Sequence, residues 1–232
     1  MGKKQGRLTA ADEGEGKGDH WDTNCLAPQS KSLVSLVPGK RTRQTIHQVV
    51  ADAAQRLAPD AMQPALSTDG EPTHPEAILA AFGHPYQPPR RGEPGCPPAL
   101  RVRVPQDLVF AQVIKHRQGY RIRQVEVRPV FGKGKLPQVV AQLGWNKANT
   151  SAIKRFNLTD RLRNGRKVRK TMGFSRRTQL LDAMGWISAL RYNFHHPHRT
   201  LRLCTPEGHW QKRTPAMAAG LTDQIHTALE LM

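Results

Sequence analysis

A dense run of cations and an isolated Asp-Gly pair are the two candidate functional features of this sequence. The first is the run from Asn149 to Arg177, which holds ten cations, Lys154, Arg155, Arg161, Arg163, Arg166, Lys167, Arg169, Lys170, Arg176 and Arg177, against one acid, Asp160. Its net charge of about +9 is half of the chain's +18. A positive density this high, carried partly on a helix, is the electrostatic footprint of a phosphate-backbone partner. Lys147, Arg155, Arg161, Arg163, Arg166, Lys167, Arg169 and Lys170 are the expected phosphate contacts, and such contacts position DNA without reading its sequence. A merely solvated helix face is the plain alternative, but the density exceeds what solubility needs. The second feature is Asp69 in Thr68-Asp69-Gly70. An acid followed by Gly at the carboxyl end of a strand is where open sheets place their chemistry, and it is also an ordinary turn-forming pair.

Other polar clusters suggest less. His195, His196 and His198, with His209 further on, lack a cysteine or carboxylate at metal-ligand spacing, so a structural turn is expected. Trp145, Trp186 and Trp210 could stack on bases, although Trp186 falls within a helical pattern and is expected in the core. Gly132-Lys133-Gly134-Lys135 lacks the spacing of a phosphate-cradling loop. Cys25, Cys96 and Cys204 form no CxxC pair and are odd in number, which argues against a disulfide framework or a zinc knuckle.

Composition narrows the partner. At 232 residues with 38% apolar and 6% aromatic content, the chain is lean for a globular protein yet long enough for a core. A sequence pI near 10.7 favours nucleic acid. An anionic membrane surface is the weaker option, since no basic amphipathic helix with Trp or Phe anchors is evident. No run approaches a membrane span and the first residues have no apolar secretory region, so a cytoplasmic location is expected.

Hydrophobic periodicity and turn residues set the order of the secondary-structure elements. Residues 1–19 read as a flexible arm. His20–Ala27 and Ser32–Val37 flank Pro28-Gln29-Ser30-Lys31 as a hairpin. A helix follows with Thr42 as its N-cap, Ile46, Val49, Val50, Ala53, Ala54 and Leu57 on one face, and Pro59 as its stop. A short strand ends at Asp69-Gly70, and a helix from about Pro75 to Phe82 is closed by Gly83. His84–Pro98, with six prolines, reads as an irregular loop. Asp107–Lys115 and Tyr120–Val130 read as strands, the second with Arg121, Arg123 and Arg128 interleaved. Gly132–Gly144 reads as a loop. Leu180, Met184, Ile187, Leu190 and Phe194 trace a helical face, Thr214-Pro215 caps a short helix ended by Gly220, and Thr222 starts a last helix.

The order is that of an α/β protein. The segments GKKQGRLTAADEGEGKGDHW, LVPGKRT, STDGEPTHPEAIL, NTSAIKRFNLT, YNFHHPHRTL and RTPAMAAGLTD resemble a bacterial insertion-sequence transposase of the DDE class, from Gly2 to about Leu229. The resemblance implies a ribonuclease-H-like mixed sheet with flanking helices and a helical C-terminal part. It divides the chain into an arm (1–19), an incomplete catalytic-type core (20–177, with 84–98 as a Pro-rich loop) and a C-terminal helical buttress of the same domain (178–232). It also implies DNA as partner, with homo-oligomers or mixed oligomers with an intact transposase, and no membrane.

In such enzymes, the resemblance implies, three carboxylates hold two Mg²⁺ ions for strand cleavage and transfer, because two hard cations clamp the attacking and leaving oxygens of an in-line displacement. Asp69 matches the second carboxylate. The third belongs in the pattern NTS-x-x-E-R-x-N, where this chain has Lys154. A protonated lysine offers no lone pair and repels divalent cations. The first carboxylate belongs to a strand before the segment GKKQ, which is expected to be missing. Of Asp12, Glu13, Glu15, Asp19 and Asp22, only the last two lie near a strand start, and none is expected to be held firmly enough to replace a ligand. An inactive DNA-binding derivative with no bound metal is expected. An active subunit completed by an upstream frame or a partner chain, and an inhibitor of an intact transposase, stay open.

Overall fold

In the computed structural model, which describes residues 9, 11, 18–58, 63–89, 98–168, 175 and 177–231, the chain forms two compact units. One takes the residues up to Thr45 together with those from Ser151 onward; the other is Ile46–Thr150. Both combine helices with strands, and the described strands fall in four small sheets. The chain is thus mixed α/β, as expected. No described helix is long and apolar enough to cross a membrane.

The first unit opens with the expected hairpin. Strands β1 (Trp21–Leu26) and β2 (Leu33–Gly39) pair antiparallel, with Cys25 opposite Ser35 and a bulge at Leu26. Helix α1 (Arg43–Gln55) follows and runs, from Ile46 on, in the second unit; the Thr42 hydroxyl accepts from the Thr45 amide as the expected N-cap. It ends before Leu57, which is 38% exposed, because the Arg56 and Leu57 amides turn back to the carbonyls three residues earlier and tighten the last turn. Pro59, the expected stop, lies outside the described residues.

In the second unit, β3 (Ala65–Asp69) lies parallel to β6 (Val109–Gln118), which pairs antiparallel with β7 (Arg121–Phe131). Helix α2 (Thr73–Phe82) follows β3, and its buried Ile78 and Phe82 meet Leu108 and Phe110, with Val50, Leu66 and Phe131 packed around them. Two expected loops are structured. His84–Tyr86 (β4) pairs antiparallel with Arg101–Arg103 (β5), so the proline-rich stretch begins with a strand. Pro85 fits because this is a two-stranded sheet, where one side of each strand needs no donor. Within Gly132–Gly144, helix α3 (Leu136–Gln142) carries its proline at the helix start, the position where proline's missing N–H costs nothing. Val140 and Leu136 join Ala111, Ala148, Val127 and Trp145 in a second cluster.

The chain then returns to the first unit with α4 (Ser151–Arg163) and α5 (Thr178–Leu190), extended by a π-helical turn, Arg191–His195. Leu33, Leu36, Phe156, Ala189 and Tyr192 form the core here, with Phe156 and Tyr192 edge-on at 4.7 Å. Strands β8 (Leu203–Cys204) and β9 (Trp210–Gln211) make a small hairpin. The short helix α6 (Pro215–Ala218) is capped by Thr214, whose hydroxyl accepts from the Met217 amide at 3.3 Å, and Gly220 follows with φ 73°. The helix expected from Thr222 does not form. Its apolar residues Ile225 and Leu229 are 39% and 82% exposed, so no buried face holds a helix there.

Candidate nucleic-acid interface

Helix α4 sorts the basic run by its own periodicity. Ile153, Phe156, Asn157 and Asp160 share one face at helical spacing; Phe156 and Asp160 are buried, and Asn157 accepts from the Asn24 amide of β1 at 3.0 Å. The opposite face carries Lys154 and Arg155, both exposed, and Arg161, half-buried. Two leucines lie among these cations, Leu158 at 48% and Leu162 at 77% exposure. Lys154, at the position where the resemblance would put a carboxylate, therefore lies on the outer face of its helix.

After α4 the run turns inward. The Asn164 side chain accepts from the Arg166 amide at 3.1 Å and caps a 3-10 turn, Gly165–Lys167. Lys167 returns into the unit, where its ammonium lies 2.6 Å from Asp22 and 2.7 Å from Asp160; the three side chains are 10%, 14% and 9% exposed. Ser188 of α5 donates to the other Asp160 oxygen at 2.7 Å. Burial pushes the lysine pKa down, but the two carboxylates outweigh it and hold the ammonium above its ordinary range. The charge of Lys167, one of the expected phosphate contacts, is thus engaged by two carboxylates of its own unit. Asp22, weighed as a stand-in metal ligand, is likewise engaged.

The other expected contacts divide as follows. Arg163 is exposed on the flank of α4, beside a cavity of about 40 Å³ between α4 and α5 that Arg191, Tyr192 and His196 also line. Arg166 is exposed and donates to the Ser175 hydroxyl at 3.2 Å. Lys147 is exposed but belongs to the Ile46–Thr150 unit. Arg169 and Lys170 lie outside the described residues.

Asp69 ends β3 with its side chain 59% exposed. Its carboxylate accepts from the Glu71 amide at 3.4 Å and lies 3.8 Å from His74, while Gln112 of β6 donates to the Glu71 carbonyl at 3.0 Å. The observed role is that of a turn former between β3 and α2. Among the described residues no three of His, Cys, Asp and Glu converge as metal ligands. Asp12, Glu13 and Glu15 lie outside the described residues, and Asp19 is exposed.

The histidine cluster is built into the turn after α5. His195 bonds the His226 carbonyl at 2.7 Å, and His198 packs edge-on against Tyr192 at 4.9 Å. Burial and nearby cations, Arg163 for both rings and Lys31 for His198, hold His196 and His198 down at about 4. Burial also pushes the Tyr192 phenol up to about 12. Of the tryptophans, Trp145 packs in the α3 cluster and Trp210, 60% exposed, lies under Arg202 at 5.1 Å. Trp186 corrects the expectation of a core residue. It is 45% exposed, because α5 buries Leu181, Gly185 and Ala189 instead.

Residue types alone did not reveal the Lys167–Asp22–Asp160–Ser188 network. Its one sequence signal is that Asp160, the only acid in the run, falls four residues after Phe156, on the buried face of α4. The chain matches no protein-family model, no curated protein and no solved structure.

Proposed function

We propose that this chain is a DNA-binding protein of the DDE-transposase kind whose strand-cleaving chemistry is disabled at Lys154. The observation that supports this best is the outer face of α4, which carries Lys154, Arg155 and Arg161, while the one acid of the run, Asp160, is turned inward onto Lys167. A face of this charge favours a polyanion, whose phosphate backbone it would meet through charge rather than sequence. In this reading the parallel pair β3–β6, connected through α2 and extended by antiparallel β7, belongs to a ribonuclease-H-like sheet, and Asp69 is a vestige of its metal site.

The test is a nicking assay on supercoiled plasmid with Mg²⁺ or Mn²⁺, beside a binding assay on duplex DNA. The expected outcome is binding that weakens steeply with salt, and no nicking. Metal-dependent nicking that Asp69→Ala abolishes would show that the cleavage site is intact, and duplex affinity indifferent to salt would remove the binding reading.

A further inference from the structure

Strands β6 and β7 extend well past the sheet that holds them. Strand β3 pairs with β6 only over Val109–Val113, whereas the β6–β7 ladder continues to Gln118 opposite Arg121. A strand lying on a core buries every second residue. Here every residue from His116 to Gln124 is exposed, so this ribbon has solvent on both faces. Tyr120 at its tip is 100% exposed and Ile122 45%.

The charge of this ribbon has one sign. Arg117, Arg121 and Arg123 lie within it, Lys115 stands at its base, and no acid occurs between Asp107 and Glu126. Glu126 itself is engaged by His116 at 2.9 Å and by Arg128 at 3.3 Å, and these contacts hold its carboxyl below the usual range. Arg123 donates to Gln118 across the strands at 2.8 Å, which aligns a guanidinium along the ribbon edge. A two-stranded ribbon that buries neither face gains little from folding, so an exposed Tyr at the tip of three arginines contributes nothing to the core.

We propose that the distal β6–β7 ribbon is an arm that docks into the major groove of duplex DNA, with Tyr120 leading and Arg117, Arg121 and Arg123 meeting the phosphates that border the groove. The proposal rests on the DNA-binding reading above and names a surface in the unit that does not hold α4. The dimensions agree: the five residues Ile114–Gln118 beyond the β3 pairing, at ~3.4 Å each, give roughly 17 Å. That exceeds the groove depth of about 8.5 Å, and two strands about 5 Å apart fit its width of about 12 Å. A single-stranded site would need a concave groove with several stacking rings, whereas this tip is convex and carries one.

The experiment uses the full chain and fluorescence anisotropy on a duplex of about 20 base pairs across a salt series. R117A/R121A/R123A is expected to lower the slope of log affinity against log salt by about 2.7, and to weaken binding at least tenfold near 0.1 M salt, since each lost phosphate contact contributes about 0.9 to the slope. R117K/R121K/R123K, which keeps the charges, is expected to keep the slope, and equal thermal midpoints would show that all three chains fold alike. A triple-alanine variant that binds the duplex as the parent does would overturn the proposal while leaving DNA binding in place. Ribbon-dependent binding to phosphatidylserine vesicles, with duplex affinity untouched by the same variant, would overturn it in favour of a membrane surface. A parent chain that binds no duplex would overturn both readings.

Discussion

Lys167 shows how position decides what a charge does. It belongs to the same basic run as Arg155, yet Arg155 faces solvent and Lys167 is buried between Asp22 and Asp160. Two carboxylates withdrawn from water are tolerable only while a cation and a hydroxyl satisfy them, which the Lys167 ammonium and Ser188 do. Lys167→Met removes the cation and leaves two carboxylates facing each other. The expected loss is about 3–5 kcal/mol of unfolding free energy, measured by urea denaturation of the full chain. Arg155→Ala, with no buried partner to orphan, is expected to change stability by under about 0.5 kcal/mol. Equal stability of the two variants would mean that the buried triad is not formed in solution. Because the lysine pKa is raised, its contribution is complete below the ordinary value of 10.5 and disappears as pH rises beyond it, so neutral-pH measurements see the full effect.

At the scale of elements, Gly83 is where local and tertiary demands meet. Its spacing after α2 predicts a helix-closing glycine, and the helix does end there, but φ is −75° and ψ 152°, an extended conformation open to any residue. What requires glycine is space: a Cβ would stand 2.2 Å from the Val102 methyl of β5 and 2.4 Å from the Leu79 carbonyl. Gly83→Ala is therefore expected to destabilise the Ile46–Thr150 unit by about 1–3 kcal/mol and to increase proteolysis around β4 and β5. An unchanged thermal midpoint and digestion pattern would show that β5 does not pack on the end of α2. The same contact explains what the sequence left hidden. Hairpin β1–β2, helix α1, and strands β3, β6 and β7 are legible because periodicity and turn residues are local signals. Pairing between β4 and β5, three residues each and far apart around a proline-rich stretch, has no local signature. Helix α3 is masked by the glycines on both sides of it, and the last helix fails because Ile225 and Leu229 find nothing to cover them. In the candidate site, cation density was readable along the chain. Which cations face inward was not, because that depends on an aspartate at position 22 meeting a lysine at 167.

At the scale of the whole molecule, the charge of +18 and the ten histidines place folding under acid control. Acidification adds up to ten positive charges to a chain that already repels itself, and that repulsion opposes the compact state. His196 and His198 add a local effect of the same sign. Folded, their pKa values lie at about 4; unfolded, they return to the ordinary 6.5. Between these limits the unfolded chain binds more protons, so stability is highest above about pH 6.5 and falls as pH drops toward 4. Each ring is expected to contribute roughly 1–2 kcal/mol of this loss, less than the full shift implies, because both are partly exposed and screened. Urea unfolding at a series of pH values from neutrality to about 4.5 measures the sum, and salt separates its parts. Repulsion across the surface is screened within a Debye length, about 8 Å at 0.15 M, so added salt restores that share. The cost of charging an imidazole against Tyr192 is a burial cost and persists in salt, until His198→Asn removes the titrating group. A midpoint that stays level through this pH range, or whose fall is wholly reversed by salt, would mean that the turn after α5 is open to water and that His196 and His198 titrate as free rings.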